Sequence, residues 1–503
     1  MPLQKLLLPI IFVLFIFQTG CKKDNVQDNN IELLHAERGV RKGFFDAQGR
    51  QVILRGVNYN CLGDYWVANQ DVPPVKPYDP EDFRMMAEEG FNCVRLLFHW
   101  SRLEPVRGQY NQAYITDIKR AIEDASRYGI YVLLDMHQDA WGKYIASKPE
   151  DACNYPNNGW DGAPEWATFT DGQSTCKDDA SGVGGRETAP AVYHAFQHFF
   201  DNTDGIQDAC INAWAALAKE TAKYPNVVGY DILNEPNLGY KPLLEEVGKL
   251  GRFYGKTIAA IRNAERSVGA PQHIMFFEMS VTWQGQGIPF IAMPDFTDDK
   301  NIVFAPHTYF EAITYLLTLE QGYDLLSGLS NAYQTGIFIG EYGYFDGDIN
   351  VSVAKLKRFA VKEDGNFGSS TYWQWCQTPG DPHGISWDGQ SYGERSMALI
   401  ETDWKGNYTG NKNEALLRIL SRSYPRAIQG KPKKFSADPE NGALYLEAAT
   451  NQEGHTLLWL NQRFGEPKFR CSNGEVKALQ QVYGGYLADI SVRDTYSIEV
   501  YYE

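Results

Sequence analysis

Eight short apolar runs recur along the chain after residue 50, and stretches with helical periodicity separate many of them. The runs cover residues 52–58, 92–98, 131–137, 227–234, 273–278, 302–307, 336–341 and 370–375. Their consecutive aliphatic and β-branched residues are typical of strands that are covered on both faces. Residues 112–128 repeat apolar side chains at the spacing of an amphipathic helix, at Ile115, Ile118, Ala121, Ile122 and Ala125. Residues 81–89, 208–224 and 243–266 are also predicted to be helical.

This alternation predicts an α/β fold, a (β/α)8 or TIM barrel over residues 31–424. Beyond it the pattern changes to short alternating runs separated by Asn-Gly and Gly-Gly turns. That pattern predicts a small all-β sandwich over residues 431–503. Residues 430–434 are predicted to link the two units.

One connection is abnormally long. It covers residues from about 138 to 205 and is rich in Gly, Asn, Asp, Trp and Cys. It leaves the carboxyl end of the third strand, which is the catalytic face of such a barrel. It forms either a wall of the binding cleft or a surface insertion. Cys153 and Cys176 could close it in an oxidising compartment, whereas Cys93 and Cys376 lie in apolar runs and are expected to be buried thiols.

The first 20 residues have the pattern of a secretory signal. Lys5 precedes twelve apolar residues, too few to span a bilayer of about 30 Å, and Gly20-Cys21 follows. The segment resembles a bacterial lipoprotein signal with Cys21 as the lipid attachment site, and residues 21–30 are a polar tether. We therefore expect a lipid-anchored protein of the bacterial cell envelope, on its periplasmic or surface face, or a secreted protein if the anchor is absent.

Composition excludes several other classes of protein. Hydrophobic residues make up 43% of the chain and charged residues 22%, which excludes wholesale disorder. The net charge of −16 comes without a basic cluster, so we expect no nucleic-acid partner. The Cys, His and acidic residues show no metal-ligand spacing, so no metal and no cofactor is expected. We expect a monomer.

Two glutamates stand at the ends of predicted strands. Glu235 ends the fourth strand and Glu341 ends the seventh, and both strands are otherwise largely apolar. Because a buried unpaired carboxylate is costly, each should emerge at the rim, on opposite sides of the barrel mouth. Two carboxylates facing across a cleft are the apparatus of glycoside hydrolysis.

With these motifs in order, the chain resembles glycoside hydrolase family 5 over nearly its whole mature length. The resemblance rests on Leu54-Arg55-Gly56-Val57-Asn58, on Asn234-Glu235-Pro236 and on polar residues at the other strand ends. It implies that Glu235 is the general acid/base and Glu341 the nucleophile of a retaining enzyme. It also implies a set of substrate-binding residues: Arg95, His137, Asp139, Asn234, His307, Tyr309 and Trp373, with Trp375 as the competitor of Trp373.

Within the family, residues 134–139, 162–167, 204–208 and 424–432 resemble endoglycosylceramidases, which cut between a glycan and ceramide. The resemblance implies a glycolipid or oligosaccharide substrate. A lipid aglycone such as ceramide requires exposed apolar surface beside the sugar site. Aromatic residues of the long insert could supply it: Trp141, Tyr144, Trp160, Trp166 and Phe169. In that group, a Lys in the loop after the first strand usually contacts the sugar. This chain lacks that Lys, so the identity of the preferred sugar remains an open question at this point.

Three alternatives remain at this point. One is a family 5 glucanase or mannanase, another acts on a steryl or other lipid glycoside, and the third is a non-catalytic glycan-binding lipoprotein. A retaining mechanism predicts carboxyl groups about 5–5.5 Å apart, whereas about 6.5–9.5 Å would contradict it. We also expect optimal activity on the acidic side of neutral.

Overall fold

Residues 31–67, 69–177, 186–241, 243–281, 293, 295–384 and 397–503 are described in this computed structural model. The predicted signal segment, Cys21 and the tether over residues 21–30 lie outside the described residues. In the described part of the chain, no helix is long and apolar enough to cross a membrane.

Three short antiparallel strands open the described chain: β1 (His35–Glu37), β2 (Gly43–Phe45) and β3 (Gln51–Val52). The predicted first strand over residues 52–58 is in fact two strands, β3 and a barrel strand that starts at Arg55. The backbone N–H of Ile53 bonds to Arg426 O, and that of Leu54 bonds to Ser369 Oγ. The chain therefore changes from one sheet to another within two residues, although its apolar run is continuous.

Eight parallel strands then close into a barrel, which confirms the predicted fold class. In chain order they are β4 (Arg55–Tyr59), β5 (Cys93–Phe98), β6 (Tyr131–Met136), β7 (Val227–Asp231), β8 (Ile274–Phe277), β9 (Ile302–Phe304), β10 (Gly336–Ile339) and β11 (Ser369–Tyr372). Strand β11 pairs with β4 to complete the ring. The carboxyl ends of all eight strands consequently meet at one face, the barrel mouth.

Helices surround the barrel. They are α1 (Glu81–Glu88), α2 (Trp100–Leu103), α3 (Gln112–Arg127), α4 (Pro190–Phe200), α5 (Ile206–Thr221), α6 (Leu243–Ser267), α7 (Leu319–Tyr333), α8 (Ile349–Gly365) and α9 (Glu414–Leu420). Helix α3 begins after Asn111, whose side chain accepts from the Tyr114 N–H, and it buries all five predicted apolar positions. The predicted helical periodicity is thus confirmed there.

The C-terminal part is all-β, as predicted, and joins the N-terminal strands. A hairpin of β12 (Ile400–Thr402) and β13 (Tyr408–Lys412) precedes α9. The strands that follow α9 are β14 (Tyr424–Ile428), β15 (Lys431–Ala437), β16 (Leu444–Ala449), β17 (Gly454–Asn461), β18 (Lys468–Val482) and β19 (Gly485–Tyr501). With β1–β3 they make one nine-stranded antiparallel sheet, in which β14 pairs with β3.

The predicted linker over residues 430–434 is wrong, because Lys431–Ala437 is strand β15. Its polar residues are those of a sheet edge: Lys431, Lys433 and Lys434 are exposed while Phe435 is buried. Only Gln429 and Gly430, the latter in the left-handed region at φ 81°, separate β14 from β15. The sequence boundary was misplaced since charged edge residues and linker residues have the same composition.

The long insert is tied down at several points. Cys153 and Cys176 form a disulfide with a Cα–Cα distance of 5.3 Å, which confirms the suggested pairing. Cys93 and Cys376 are buried free thiols, as expected. Trp141 and Trp160, however, are buried, and Trp166 packs edge-on against Trp100. Of the five aromatic residues expected to offer apolar surface, only Tyr144 is largely exposed.

Candidate active site

Glu341 follows β10 at the barrel mouth and is held by two donors. Arg95, on β5, donates from Nη1 to Glu341 Oε1 at 2.8 Å. The Tyr309 hydroxyl, just beyond β9, donates to Glu341 Oε2 at 2.9 Å. Both donors fix the position of the carboxyl group at the mouth, so the geometry suits a nucleophile. The structure therefore places Arg95 and Tyr309 beside Glu341.

Arg95 is fully buried among side chains from five strands. Its Nε donates to Asp231 Oδ2 at 2.9 Å, and its Nη2 lies 3.0 Å from Asp135 Oδ1 and 3.2 Å from Glu278 Oε1. Burial raises the pKa of Asp231 to about 8, although the Arg95 charge opposes that rise. The guanidinium thus anchors a layer of acidic groups beneath the mouth.

Asn234 belongs to the same layer and immediately precedes Glu235. Its Oδ1 accepts from Arg95 Nη2 at 2.8 Å, and its Nδ2 donates to Gln138 O at 3.0 Å. These two hydrogen bonds orient the amide, with its oxygen toward Arg95 and its nitrogen toward Gln138. The amide is therefore oriented before any substrate arrives.

Glu235 stands on the opposite side of the mouth, after β7, with a left-handed φ of 38°. Its Oε1 lies 2.8 Å from His307 Nδ1, and its backbone N–H donates to Glu278 Oε2 at 3.0 Å. Burial disfavours its ionised form, but the hydrogen bond and charge of His307 outweigh burial. The pKa of Glu235 consequently lies below its usual value.

His307 lies between the two glutamates. Its Nδ1 is 2.8 Å from Glu235 Oε1 and 3.5 Å from Glu341 Oε2, and its Nε2 is 3.2 Å from Glu278 Oε1. Burial alone would lower the pKa of His307, but Glu278 and Glu341 raise it well above its usual value. An oxygen of Glu235 and one of Glu341 lie within 4.8 Å of each other. This close approach of the two carboxyl groups fits the arrangement of retaining glycosidases.

A third group forms the wall beside the glutamates. His137 lies 2.7 Å from Asp135 Oδ2 and stacks on Trp373, with ring centroids 5.6 Å apart. Asp139 Oδ2 lies 2.8 Å from His383 Nε2, and the His383 ring is 5.0 Å from Trp373. Trp373 and Trp375 are both buried and belong to the main hydrophobic core. Of the two, Trp373 is the one that contacts the His137 and His383 rings of this wall.

Several residues of the site were missed in the sequence. Arg186 comes from the end of the long insert, hydrogen-bonds Asp139, and has its Nη2 3.7 Å from Glu235 Oε2. Nothing in the spacing of a 70-residue connection could place it there. Glu278 could have been found, since it ends the predicted fifth strand just as Glu235 and Glu341 end theirs. His383 and Asp161 also had no sequence signal.

Two clusters of the described residues have the distances of a metal site, but hydrogen bonding argues against a metal. They are His137, Asp139, Asp161 and His383, and Glu235, His307 and Glu341. Both ring nitrogens of His383 lie within 2.8 Å of carboxylates, which raise its pKa to about 10 despite burial. A protonated imidazole has no lone pair for a metal. The absence of a metal and of a cofactor stays a prediction.

An eight-stranded parallel barrel with paired glutamates after its fourth and seventh strands is the arrangement of a retaining glycoside hydrolase. The model of the Cellulase family, glycosyl hydrolase family 5, matches residues 45–378. The chain belongs to glycosyl hydrolase family 5 and hydrolyses O-glycosyl bonds.

Similar proteins match this chain along most of their length. A curated endoglycoceramidase of Cyanea nozakii is 26% identical over 463 residues, covering 86% of this chain and 84% of that protein. Endoglycoceramidase I of Rhodococcus hoagii (strain 103S) is 25% identical over 406 residues, covering 79% of this chain and 74% of that protein. A crystal structure of endogalactoceramidase is 35% identical with a TM-score of 0.83, covering 93% of this chain and 99% of that chain.

Proposed function

We propose that the protein hydrolyses the bond between the glycan and the ceramide of glycosphingolipids, with retention at the anomeric carbon. The observation that carries the reaction is the Glu235–Glu341 pair, whose oxygens lie within 4.8 Å around His307. The substrate class is supported by the 35% identity to an endogalactoceramidase over 93% of this chain. Curated relatives named endoglycoceramidase point to the same class.

The reaction proceeds in two displacements. In the first, Glu341 forms an ester with the anomeric carbon, the bond to the ceramide oxygen breaks, and that oxygen takes a proton from the acid Glu235. In the second, Glu235 takes a proton from water, the water oxygen bonds to the anomeric carbon, and Glu341 leaves. The glycan is released with its original configuration.

The surroundings prepare each glutamate for its part. Arg95 and Tyr309 hold the Glu341 carboxyl group in position for attack through two hydrogen bonds. Glu235 Oε1 and His307 Nδ1 are 2.8 Å apart and share a proton. Glu235 transfers this proton to the leaving oxygen. Asn234 lies next to Glu235 and is fixed by Arg95, so its amide is placed to bond a sugar hydroxyl.

The test is incubation with glycosphingolipids, with products identified by mass spectrometry. The panel holds one lipid with glucose and one with galactose next to ceramide, since the first loop lacks the usual Lys. Release of an intact oligosaccharide together with ceramide supports the proposal. Cleavage of β-glucan or mannan, with no ceramide released, would overturn the substrate class while leaving the paired glutamates in place.

We also propose that the protein is a bacterial lipoprotein, anchored through Cys21 in the cell envelope and monomeric. The support is the sequence, with an apolar segment followed by Gly20-Cys21 and a polar tether. The carbonyl of Glu32 accepts from the Tyr131 hydroxyl at the first residue of β6. Glu32, two residues beyond the predicted tether, therefore lies at the amino end of β6, opposite the mouth. Mass spectrometry of the mature N-terminus tests this, and an unmodified Cys21 would contradict it.

A further inference from the structure

Exposed apolar side chains are concentrated at the barrel mouth. Among the residues that the structure describes, ten large apolar side chains are exposed. Eight follow the carboxyl ends of barrel strands, in the loops or in the first turn of a helix: Val106, Tyr144, Tyr240, Tyr315, Leu316, Ile349, Val351 and Trp404. The other two, Val40 and Val361, lie elsewhere, and β14–β19 contain none. We call the eight residues the apolar rim.

The apolar rim surrounds the mouth rather than marking one loop. Its residues follow β5, β6, β7, β9, β10 and β11, six of the eight barrel strands. Tyr315 and Leu316 are each 72% exposed and Trp404 is 71% exposed. Trp404 stands in the turn of the β12–β13 hairpin, between Thr402 and Tyr408. Burial of such aromatic and aliphatic side chains against a partner is favourable.

The part of the rim after β9 and β10 is held as one surface. Lys355 of α8 bonds to Glu311 O and to Asp346 Oδ1, and its Nζ lies 5.9 Å from the centre of the Tyr315 ring. Arg358 pairs with Glu311 and Glu320 and joins the same two segments. The segment after β9 and the segment after β10 are therefore held together through α8, and both begin at the barrel mouth.

We infer that the apolar rim docks on the lipid–water interface in which the substrate is embedded. This inference rests on the proposed function, because ceramide lies in a lipid layer and its glycosidic bond lies at the surface of that layer. Tyrosine and tryptophan, with an apolar body and a polar tip, are the residues favoured at such interfaces. Docking by the rim brings the mouth to the bond, so the lipid need not leave its layer.

The net charge of the protein indicates which lipid headgroups the docking surface prefers. With a net charge of −16, the protein is not attracted to anionic lipids. Docking thus depends on burial of the apolar rim, and it is insensitive to salt. The partner is a zwitterionic phosphatidylcholine-like surface.

The first test measures docking without any substrate. The full-length protein and its Trp404→Phe variant are mixed with vesicles of brominated phosphatidylcholine, which quench tryptophan on contact. The wild-type minus variant difference isolates Trp404 and should show quenching that 0.5 M salt does not remove. An unquenched Trp404 would overturn the inference. Because no glycolipid is present, this result does not depend on the proposed function.

The second test compares one enzyme on two substrates. Tyr315→Ser/Leu316→Ser should lower the rate on glycosphingolipid in phosphatidylcholine vesicles by about tenfold or more, since two buried side chains are lost. Hydrolysis of a soluble aryl β-glycoside should be unchanged. Val40→Ser/Val361→Ser removes two exposed apolar residues away from the mouth and should change neither rate.

Other outcomes separate the two proposals. Equal loss on both substrates would show that the rim variant damages the site, and would overturn the docking role. The rim could instead bind a second copy of this chain. In that case the protein would be a dimer in the absence of vesicles, and Tyr315→Ser/Leu316→Ser would make it a monomer. That result would overturn docking on lipid. Quenching of Trp404 without any glycosphingolipid cleavage would retain the lipid-binding rim and reject the proposed substrate.

Discussion

At the scale of single residues, the site depends on one histidine that contacts three carboxyl groups. His307 contacts Glu235, Glu341 and Glu278, and the proton it shares with Glu235 offsets the cost of burying these charges. Arg95 supplies the matching positive charge on the nucleophile side. The two glutamates can lie within 4.8 Å because each has its own cationic neighbour.

Glu341→Gln should abolish turnover, with a loss of about 10⁴-fold or more in kcat, because the amide cannot form the glycosyl ester. The circular dichroism spectrum should stay that of the wild type. Steady-state kinetics on an aryl β-glycoside measures the effect, with the exposed Glu475→Gln as the control. Substantial remaining activity would refute Glu341 as the nucleophile.

Arg186→Gln should raise the pKa of Glu235, because the cation near Glu235 Oε2 helps to keep that pKa low. Glu235 must be protonated in the first step, so the alkaline limb of the kcat/KM profile should move up by about one unit. Arg107→Gln, which removes an exposed guanidinium, is the control. A profile that keeps its alkaline limb would show that Arg186 does not act on Glu235.

At the scale of elements, local patterns were enough to predict the barrel, but long-range pairing was not. Most barrel strands are largely apolar runs, so strand ends such as Glu235 and Glu341 could be located from sequence. The pairing of β3 with β14 joins Val52 to Ala427, 375 positions apart, and no local pattern records it. Arg186 and His383 reach the site through long connections, whose paths depend on tertiary packing rather than on periodicity.

The long insert should depend on its disulfide. Cys153→Ser/Cys176→Ser opens a loop with a sequence separation of 23, which should destabilise the insert by about 2–4 kcal/mol. Limited proteolysis should then cut within residues 138–177 before the barrel unfolds. The buried Cys210→Ser serves as a thiol control that leaves the disulfide intact. Equal resistance of the double variant and the wild type would contradict this role.

At the scale of the whole molecule, the N-terminal and C-terminal strands act as one unit. Strand β14 lies between β3 and β17, and Ile53, Tyr424 and Trp459 share one hydrophobic core. The second unit therefore braces the entry of the chain into the barrel. The carboxyl ends of the barrel strands, which form the mouth, lie at the opposite end of the barrel from this entry.

Removal of residues 431–503 should consequently prevent folding of the barrel rather than leave it intact. The deletion leaves β14 without its partner β17 and exposes the core around Tyr424 and Ile428 to water. Soluble expression and thermal unfolding measure the result, with co-expressed residues 431–503 expected to restore solubility. A soluble, active residue 1–430 protein would show that the sheet is dispensable.

The central claim is that Glu341 carries the glycan during the reaction, and covalent trapping tests it most directly. In a 2-deoxy-2-fluoro-β-glycosyl fluoride, the fluorine at carbon 2 slows both displacements. The anomeric fluoride is a good leaving group, so the first displacement still proceeds and the ester accumulates. Mass spectrometry of the digested protein should find one fluoroglycosyl group on the peptide that contains Glu341, and Glu341→Gln should prevent labelling. Turnover of the reagent with no covalent adduct, or an adduct on Glu235, would contradict the account.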